Sequence, residues 1–161
     1  MSTILDQIVA SSFYLGELII NDDDTMTFTT PHKKKSGQRN RKFFNELGDI
    51  VYFMFVEGQL MKIGKAARGG GWYGRMSTYE QGIRGDMTNK MIIAKMHDIG
   101  KTKIDIIAVK TPRVMTSITC PVLNETTQVE IETAIEVERM LTNKYLVEMN
   151  LESLPFCTQI S

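Results

Sequence analysis

The sequence predicts an α/β (α+β) fold, with a small central antiparallel β-sheet of about three strands flanked by helices and an N-terminal β-hairpin before it. Three observations support this prediction. Two β-branched and aromatic runs flank Glu57-Gly58 within residues 48–64. A helical periodicity extends from about Val129 to Met149. Two shorter β-prone runs surround an acidic turn near the N-terminus.

Length and composition indicate one compact domain with a terminal extension. The chain has 161 residues, of which 42% are hydrophobic and 24% charged. We divide it into an N-terminal extension, residues 1–47, and a main domain, residues 48–161. It has neither an apolar run of membrane-spanning length nor a basic leader, so we expect a cytoplasmic protein without a membrane segment. Cys120 and Cys157 have no CxxC partner, and we expect free thiols.

The N-terminal extension contains the predicted hairpin and a basic segment. Residues 12–20 and 26–30 are β-prone, and the intervening Asn and Asp residues favour a turn. The formal net charge of the whole chain is zero, but residues 32–42 contain no carboxylate. Their basic residues are Lys33, Lys34, Lys35, Arg39, Arg41 and Lys42. This local excess predicts contacts with phosphate groups, and the alternative is a solvated loop.

The main domain begins with the hairpin around Glu57-Gly58. After it, the predicted elements are a short helix over residues 75–80, a helix over residues 87–98 that ends at Gly100, a strand over residues 103–109, and an irregular connection marked by Pro112 and Pro121.

The last predicted helix carries the most informative pattern. Its apolar face contains Ile131, Ala134, Ile135, Leu141, Tyr145 and Met149. Glu138 lies near the middle of the same face, while the other charged residues project to the side or rear. A carboxylate among apolar neighbours is costly unless it is paired or bound to a metal. We therefore expect Glu138 to have a partner.

The order of elements and several short motifs resemble those of the GIY-YIG nucleases. Val51-Tyr52 resembles the end of the GIY element, and Ile63-Gly64 followed by Lys65 resembles the end of YIG. Arg75 sits where the family has its helical arginine, and Tyr79 where the family often has His or Tyr. Residues 134–145 are similar to the family's glutamate helix, and residues 154–156 to the segment after it.

This sequence departs from the family pattern at several positions. Ile50 and Lys62 stand where the family usually has the Gly of GIY and the Tyr of YIG, and Thr158 stands where Asn is common. Residues 69–71 are all glycine and lengthen the loop before Arg75, so Arg68 is an alternative to it.

The resemblance implies a DNA endonuclease that hydrolyses phosphodiester bonds with one divalent ion, Mg²⁺ or Mn²⁺. In this interpretation Glu138 holds the metal and Arg75 grips the scissile phosphate. Tyr52 orients the attacking water or accepts its proton, a role that needs nearby positive charge because phenols are weak bases. The implied catalytic set is Tyr52, Arg75, Glu138, Lys62, Lys65 and Tyr79.

The position of Lys62 depends on the register of the hairpin. A two-residue turn at Glu57-Gly58 would place Tyr52 and Lys62 on opposite faces, and a three-residue turn with a bulge would place them on one face. We expect the bulged form, because it assembles the site.

DNA is the expected partner of the chain. Besides the basic segment, Arg68 and Trp72 are candidate DNA contacts, with Trp72 in an exposed loop or packed back onto the domain. Cleavage of both strands would need a homo-oligomer or sequential nicking. One alternative is a catalytically weak GIY-YIG-like domain that binds nucleic acid, which Lys62 and Thr158 favour. The other is a non-nuclease α/β binding module in which Glu138 pairs with a core arginine.

Overall fold

The structure, a computed structural model, describes residues 2–67 and 70–157. The helices are α1 (Ile4–Ser11), α2 (Arg41–Glu46), α3 (Gly71–Glu80), α4 (Met87–Ile99) and α5 (Ala134–Met149). The strands are β1 (Phe13–Ile20), β2 (Met26–Thr29), β3 (Ile50–Val56), β4 (Gln59–Ala66), β5 (Lys103–Lys110), β6 (Arg113–Thr119) and β7 (Thr126–Glu132). No helix in these ranges is long and apolar enough to cross a membrane.

The main sheet has five strands in the order β2-β1-β5-β3-β4, and all of its pairs are antiparallel. The prediction of an antiparallel sheet flanked by helices is confirmed, and its count of about three strands agrees only roughly with the five observed. The reason is that β1 pairs with β2 on one side and with β5 on the other, so the N-terminal hairpin continues the main sheet. The division at residue 48 stays a prediction.

Strand β3 explains why helices cover both faces of the sheet. All seven of its residues are buried, and its sequence is an unbroken apolar and aromatic run. Tyr52 and Met54 belong to one buried cluster, which includes side chains of α2, α3 and α4. Val51 and Phe53 belong to a second cluster, which includes side chains of α1 and α5. The sheet is therefore the middle layer of three.

The β3–β4 hairpin combines a two-residue turn with a bulge. Val56 pairs with Gln59 across Glu57-Gly58, and both turn residues have positive φ angles, 47° and 82°. Farther along, Phe55 pairs with Leu60 but Met54 pairs with Lys62, so Met61 is the extra residue of the bulge. The prediction that a bulge brings Tyr52 and Lys62 to one face is confirmed, although the bulge lies within β4 and not in a three-residue turn.

The helix predicted over residues 87–98 is confirmed as α4. Asp86 caps its N-terminus, accepting a hydrogen bond from the Asn89 N–H at 3.0 Å. Gly100 ends it with a left-handed conformation, φ 68°. The shorter predicted helix is α3, which begins earlier, at Gly71.

Residues 113–132 form a second hairpin, β6–β7, where an irregular connection was predicted. The helix predicted from Val129 begins only at Ala134, because Thr126–Glu132 alternates apolar and polar residues in the strand period. Ile131 is consequently 41% exposed in β7. Ile135 and Met149, also expected on the buried face, are 40% and 53% exposed, whereas Ala134 and Tyr145 are buried as expected.

Arg39 clamps the basic segment to α3. Its Nη1 and Nη2 atoms donate to the two carboxylate oxygens of Glu80 at 3.0 and 2.9 Å, and Nη2 also donates to the Phe28 carbonyl. Glu80 in turn accepts from the Phe28 N–H at 3.3 Å. This bidentate geometry fixes the helix that carries Arg75 against β2.

We expect Arg39→Ala to lower the free energy of unfolding by about 1–3 kcal/mol, because it removes the hydrogen bonds that Arg39 donates to Glu80 and to the Phe28 carbonyl. Urea denaturation followed by circular dichroism measures this change. The exposed Lys34→Ala is the matched control and should fall within about 0.5 kcal/mol of the parent. Equal stability of the two variants would show that the clamp contributes nothing.

Gly64 is required because the Tyr52 ring lies directly against it. A Cβ at this position would overlap the ring and come within 2.5 Å of Tyr52 Oη. We expect Gly64→Ala to destabilise the protein by about 1–3 kcal/mol in thermal or urea unfolding.

Gly74→Ala is the control for Gly64→Ala. Gly74 lies in α3, and a Cβ there meets nothing within 4 Å. Alanine favours a helix, so this variant should equal or exceed parental stability by up to about 1 kcal/mol. Gly64→Ala with parental stability would contradict the close packing of Tyr52.

Candidate active site

Two tyrosine hydroxyl groups meet at the centre of the candidate site. The Oη atoms of Tyr52, in β3, and Tyr79, in the last turn of α3, lie 2.5 Å apart. Tyr52 is 1% and Tyr79 0% exposed. The ring of Trp72 packs against both, with centroid distances of 5.1 and 6.4 Å. The pair is therefore held in a packed aromatic environment.

Arg75 joins the two tyrosines to the start of α4. Its Nε donates to Tyr52 Oη and its Nη2 to Tyr79 Oη, each at 3.4 Å, and its Nη1 donates to Asp86 Oδ2 at 3.2 Å. The guanidinium also lies over the Tyr79 ring, 4.6 Å from its centroid. Arg75 and Tyr79 are one helical turn apart on α3, which brings their side chains together.

Burial raises the pKa of Tyr79 well above its ordinary value, and the neighbouring Tyr52 raises it further, while Arg75 lowers it. Tyr79 consequently keeps its proton at neutral pH and can donate it to Tyr52 Oη. The Nε of Arg75 donates to the same atom. Tyr52 Oη thus accepts from Arg75 Nε, while either hydroxyl group can be the donor in the bond between the two tyrosines.

Glu138 lies on α5 within the electrostatic influence of several cations. Burial raises the pKa of Glu138, while Lys62, Lys65, Arg139 and Arg75, in that order, lower it. The side chain is half-buried. Two predicted neighbours of the site, Lys62 and Lys65, therefore lie close enough to Glu138 to stabilise its charge.

Lys62 and Lys65 occupy different faces of β4. Lys62 pairs with Met54, on the same face of the sheet as Tyr52. Lys65 pairs with Val51, on the face that α5 covers, and its Nζ lies 3.4 Å from a carboxylate oxygen of Glu132. Because β4 is an edge strand, long side chains from both faces can approach Glu138 around its edge.

The expectation that Trp72 is exposed is wrong, and the alternative of packing onto the domain is confirmed. Its indole is 0% exposed and contacts the rings of Phe28, Tyr52 and Tyr79. Trp72 lies in the first turn of α3, and the helix directs it into the core. Two other predicted residues, Arg68 and Thr158, lie outside the described residues.

The basic segment has both exposed and engaged side chains. Lys33, Lys34 and Lys35 are exposed. Arg39 forms the clamp to Glu80, and Arg41 lies over the Tyr73 ring, 5.1 Å from its centroid. Lys42 is exposed, 3.9 Å from Glu46. The lysine triplet is thus the part of the segment most available to phosphate, and its contact with DNA stays a prediction.

A small cleft opens beside Arg75. It has a volume of about 250 Å³, and its lining includes Lys65 and Thr78 together with glycines of the α3 N-terminus. A larger cavity, about 980 Å³, lies between α1 and α5 and is lined by side chains such as Ile4, Met140 and Val147. The smaller cleft adjoins the tyrosine–arginine cluster through Arg75.

The donor set fits a lightly coordinated Mg²⁺ or Mn²⁺. Within residues 2–67 and 70–157, no group of three His, Cys, Asp or Glu side chains is arranged to hold a metal ion. Mg²⁺ retains several water ligands and needs only one or two carboxylates together with substrate phosphates. The half-buried carboxylate of Glu138 is a suitable single ligand: burial raises its pKa, and the charges of Lys62 and Lys65 act against that rise.

Asp86 belongs to the tyrosine–arginine cluster, and the sequence reasoning missed it. It contacts Arg75 and caps α4. Its signal in the sequence was an aspartate immediately before a predicted helix, which is the N-cap pattern.

We expect Glu138→Gln to raise the melting temperature at pH 7, because burial makes the charged carboxylate unfavourable in the folded state. The pKa of Glu138 is about 4.5 in the unfolded chain and higher in the folded protein. Below pH 4.5 the carboxyl group is neutral in both states and burial costs nothing. As the pH rises from there through the folded-state pKa, the burial cost of the charge lowers the stability. The difference in melting temperature should therefore vanish near pH 4.

Calorimetry across this pH range, with the exposed Glu152→Gln as control, measures the effect. If Glu138→Gln lowered the melting temperature at pH 7, Glu138 would have a stabilising structural role in the fold.

Two solved structures are similar to this chain in fold, although their sequence identity to it is low. No protein-family model and no curated protein matches the chain. The solved structure of restriction endonuclease HPY188I in complex with product DNA is similar, with 16% identity and a TM-score of 0.51 over 96% of this chain and 84% of that one. The structure of a mutant of bacteriophage T4 EndoII is also similar, with 14% identity and a TM-score of 0.57 over 93% of this chain and 97% of that one. The chain therefore shares the fold of these two nucleases.

Proposed function

We propose that this protein is a DNA endonuclease of the GIY-YIG type that hydrolyses phosphodiester bonds with one divalent metal ion. The observation that carries the proposal is the hydrogen-bonded cluster of Tyr52, Tyr79 and Arg75 in a fold shared with two endonucleases, with Glu138 within the electrostatic influence of Arg75. The motifs that resemble the GIY-YIG nucleases assign the same residues to catalysis.

Tyr52 Oη is the proposed proton acceptor for the attacking water. In this step Tyr52 reacts as its phenolate, and hydrogen bonds donated by Tyr79 Oη and Arg75 Nε stabilise that negative charge until the proton taken from water neutralises it. The role of Tyr79 is to donate and to orient, because its own raised pKa keeps it protonated.

Arg75 is the proposed phosphate ligand. Guanidinium has five N–H donors, and contacts within the described chain engage one on each of its three nitrogens. One N–H on Nη1 and one on Nη2 remain for oxygens of the scissile phosphate. The adjacent cleft, of about 250 Å³, leaves room for such a group.

Glu138 would hold the metal ion. When bound, Mg²⁺ or Mn²⁺ supplies positive charge that stabilises the pentavalent transition state and the leaving 3′ oxygen. Lys62, on the same sheet face as Tyr52, supplies further positive charge that acts on Glu138.

The exposed lysines 33–35 form the proposed phosphate-binding surface outside the site. One site of this kind cuts one strand at a time. Cleavage of both strands therefore requires a homo-oligomer or two successive nicks by one protomer.

The burial of Tyr52 favours one alternative function, a nucleic-acid-binding domain that does not cut. Its side chain is 1% exposed, and this limits the access of water to the hydroxyl group. A catalytically weak domain of the same fold that binds nucleic acid without cutting it would tolerate this burial. The other rival has less support, since no arginine of the described chain forms an ion pair with Glu138.

A plasmid-nicking assay tests the proposal. Supercoiled DNA is incubated with the protein and Mg²⁺, or with chelator, and the rate of conversion to open-circular or linear DNA is measured. We expect cleavage only with the metal, and a loss of at least about 100-fold in Glu138→Gln and in Tyr52→Phe. Glu152→Gln should cut at the parental rate.

Two results would contradict the nuclease proposal. Retention of the plasmid by the parent in a gel shift, without nicking in Mg²⁺ or Mn²⁺, would favour the binding domain. Parental activity of Glu138→Gln would exclude Glu138 as the metal ligand.

A further inference from the structure

The side chain of Asn89 holds the end of α3 against the start of α4. It has no role in the proposed chemistry. Asn89 is 0% exposed, and its amide donates to the Thr78 carbonyl at 2.7 Å and to the Gly82 carbonyl at 3.1 Å. These bonds tie the first turn of α4 to the end of α3. The position of Asp86 relative to Arg75 is thereby fixed by the backbone.

Asp86 uses its two carboxylate oxygens for two different purposes. Oδ1 accepts from the Asn89 N–H at 3.0 Å and caps α4, and Oδ2 accepts from Arg75 Nη1 at 3.2 Å. The cap sets the rotamer of the carboxylate, and this rotamer directs the second oxygen at the guanidinium. Burial raises the pKa of Asp86, but the Asn89 amide and Arg75 lower it more, so the group is ionised at neutral pH.

Without the contact to Asp86, the Nη1 atom of Arg75 would have no hydrogen-bond acceptor among the described residues. The two tyrosine hydroxyl groups hold Nε and Nη2, both through hydrogen bonds of 3.4 Å, which are long. Asp86 supplies the shortest contact to Arg75, 3.2 Å, and the only charged one that the described residues provide. A planar group held at all three nitrogens has a defined plane and a defined direction for its remaining donors.

We propose that Asp86 is a positioning residue for the nuclease reaction, which holds Arg75 so that its free N–H groups meet the scissile phosphate. This inference rests on the proposed function. Asp86 acts through Arg75 and contacts neither substrate nor metal. Its removal should therefore impair the chemical step much more than the binding of DNA.

Two variants separate positioning from helix capping. Asp86→Asn and Asp86→Ser both retain a side-chain oxygen for the N-cap, and both lose the carboxylate that faces Arg75. Asp98→Asn is the matched control, because Asp98 is an exposed aspartate on the same helix. Thermal unfolding of all three variants should stay near that of the parent.

The activity measurement is nicking under single-turnover conditions with saturating Mg²⁺. We expect the cleavage rate of both Asp86 variants to fall about 10- to 100-fold, while their affinity for DNA in chelator changes less than about threefold. Asp98→Asn should match the parent in both quantities. Parental cleavage rates in both Asp86 variants would overturn the proposal, and so would a loss confined to DNA affinity.

A second measurement does not depend on catalysis. The Nε–H group of Arg75, assigned through Arg75→Lys, should give a side-chain NMR signal protected from exchange with water in the parent and in Asp98→Asn. In both Asp86 variants this protection should be lost, because the guanidinium becomes mobile. Unchanged protection would refute the positioning role, even if the protein proved to have no nuclease activity. Lost protection in a protein that never nicks DNA would leave the positioning of Arg75 standing and refute the proposed function alone.

Discussion

The hydrogen bond between the Tyr52 and Tyr79 hydroxyl groups is the interaction on which the candidate site depends. It joins β3, at the centre of the molecule, to α3, the helix that carries Arg75. A buried hydroxyl group that loses a hydrogen-bond partner costs about 1–3 kcal/mol, so the bond between the tyrosines and their bonds to Arg75 together stabilise this region. Once they are paired, Arg75 lies one turn before Tyr79 and reaches both oxygens. Fold stability and the arrangement of the proposed chemistry therefore depend on the same atoms.

The β4 strand adapts to this pair in two places. Gly64 has no side chain where the Tyr52 ring lies, and Met61 forms a bulge that returns Lys62 to the face of Tyr52. Without the bulge, Lys62 would face α5 and its charge would lie on the wrong side of the sheet. The same edge strand presents Lys65 to the other side, where Glu132 binds it. Lys62 and Lys65 thus lie on opposite faces of the sheet, and the positive charge of each lowers the pKa of Glu138.

The sequence was sufficient to predict elements whose signals are local. The β3–β4 hairpin, α4 with its Gly100 end and β5 all follow from turn residues, caps and continuous apolar runs. Glu138 was identified from helical periodicity alone, although the helix starts later than predicted. Tyr52, Tyr79 and Arg75 followed from motif order, and the structure brings them into contact.

Some features were missed because they depend on contacts between distant parts of the chain, and others because a local signal was misread. The pairing of β1 with β5 joins segments that are far apart in sequence, and no local pattern encodes it. The β6–β7 hairpin did have a local signal, the alternation in Thr126–Glu132, but the apolar residues of the following helix extended the helical pattern backwards over it. Trp72 next to a glycine run resembled an exposed loop residue, whereas α3 begins at Gly71 and turns it into the core. Asp86 was overlooked because its role in the site depends on a neighbour in space, Arg75.

A crystal structure of the protein with uncleaved duplex DNA and Ca²⁺ tests the central claim most directly. Ca²⁺ takes oxygen ligands as Mg²⁺ does and can hold the substrate in place. We expect one phosphate between the Nη atoms of Arg75 and a cation bound to Glu138, with a water within hydrogen-bonding distance of Tyr52 Oη. DNA bound elsewhere, for example along the cavity between α1 and α5, with no phosphate near Arg75, would contradict the account.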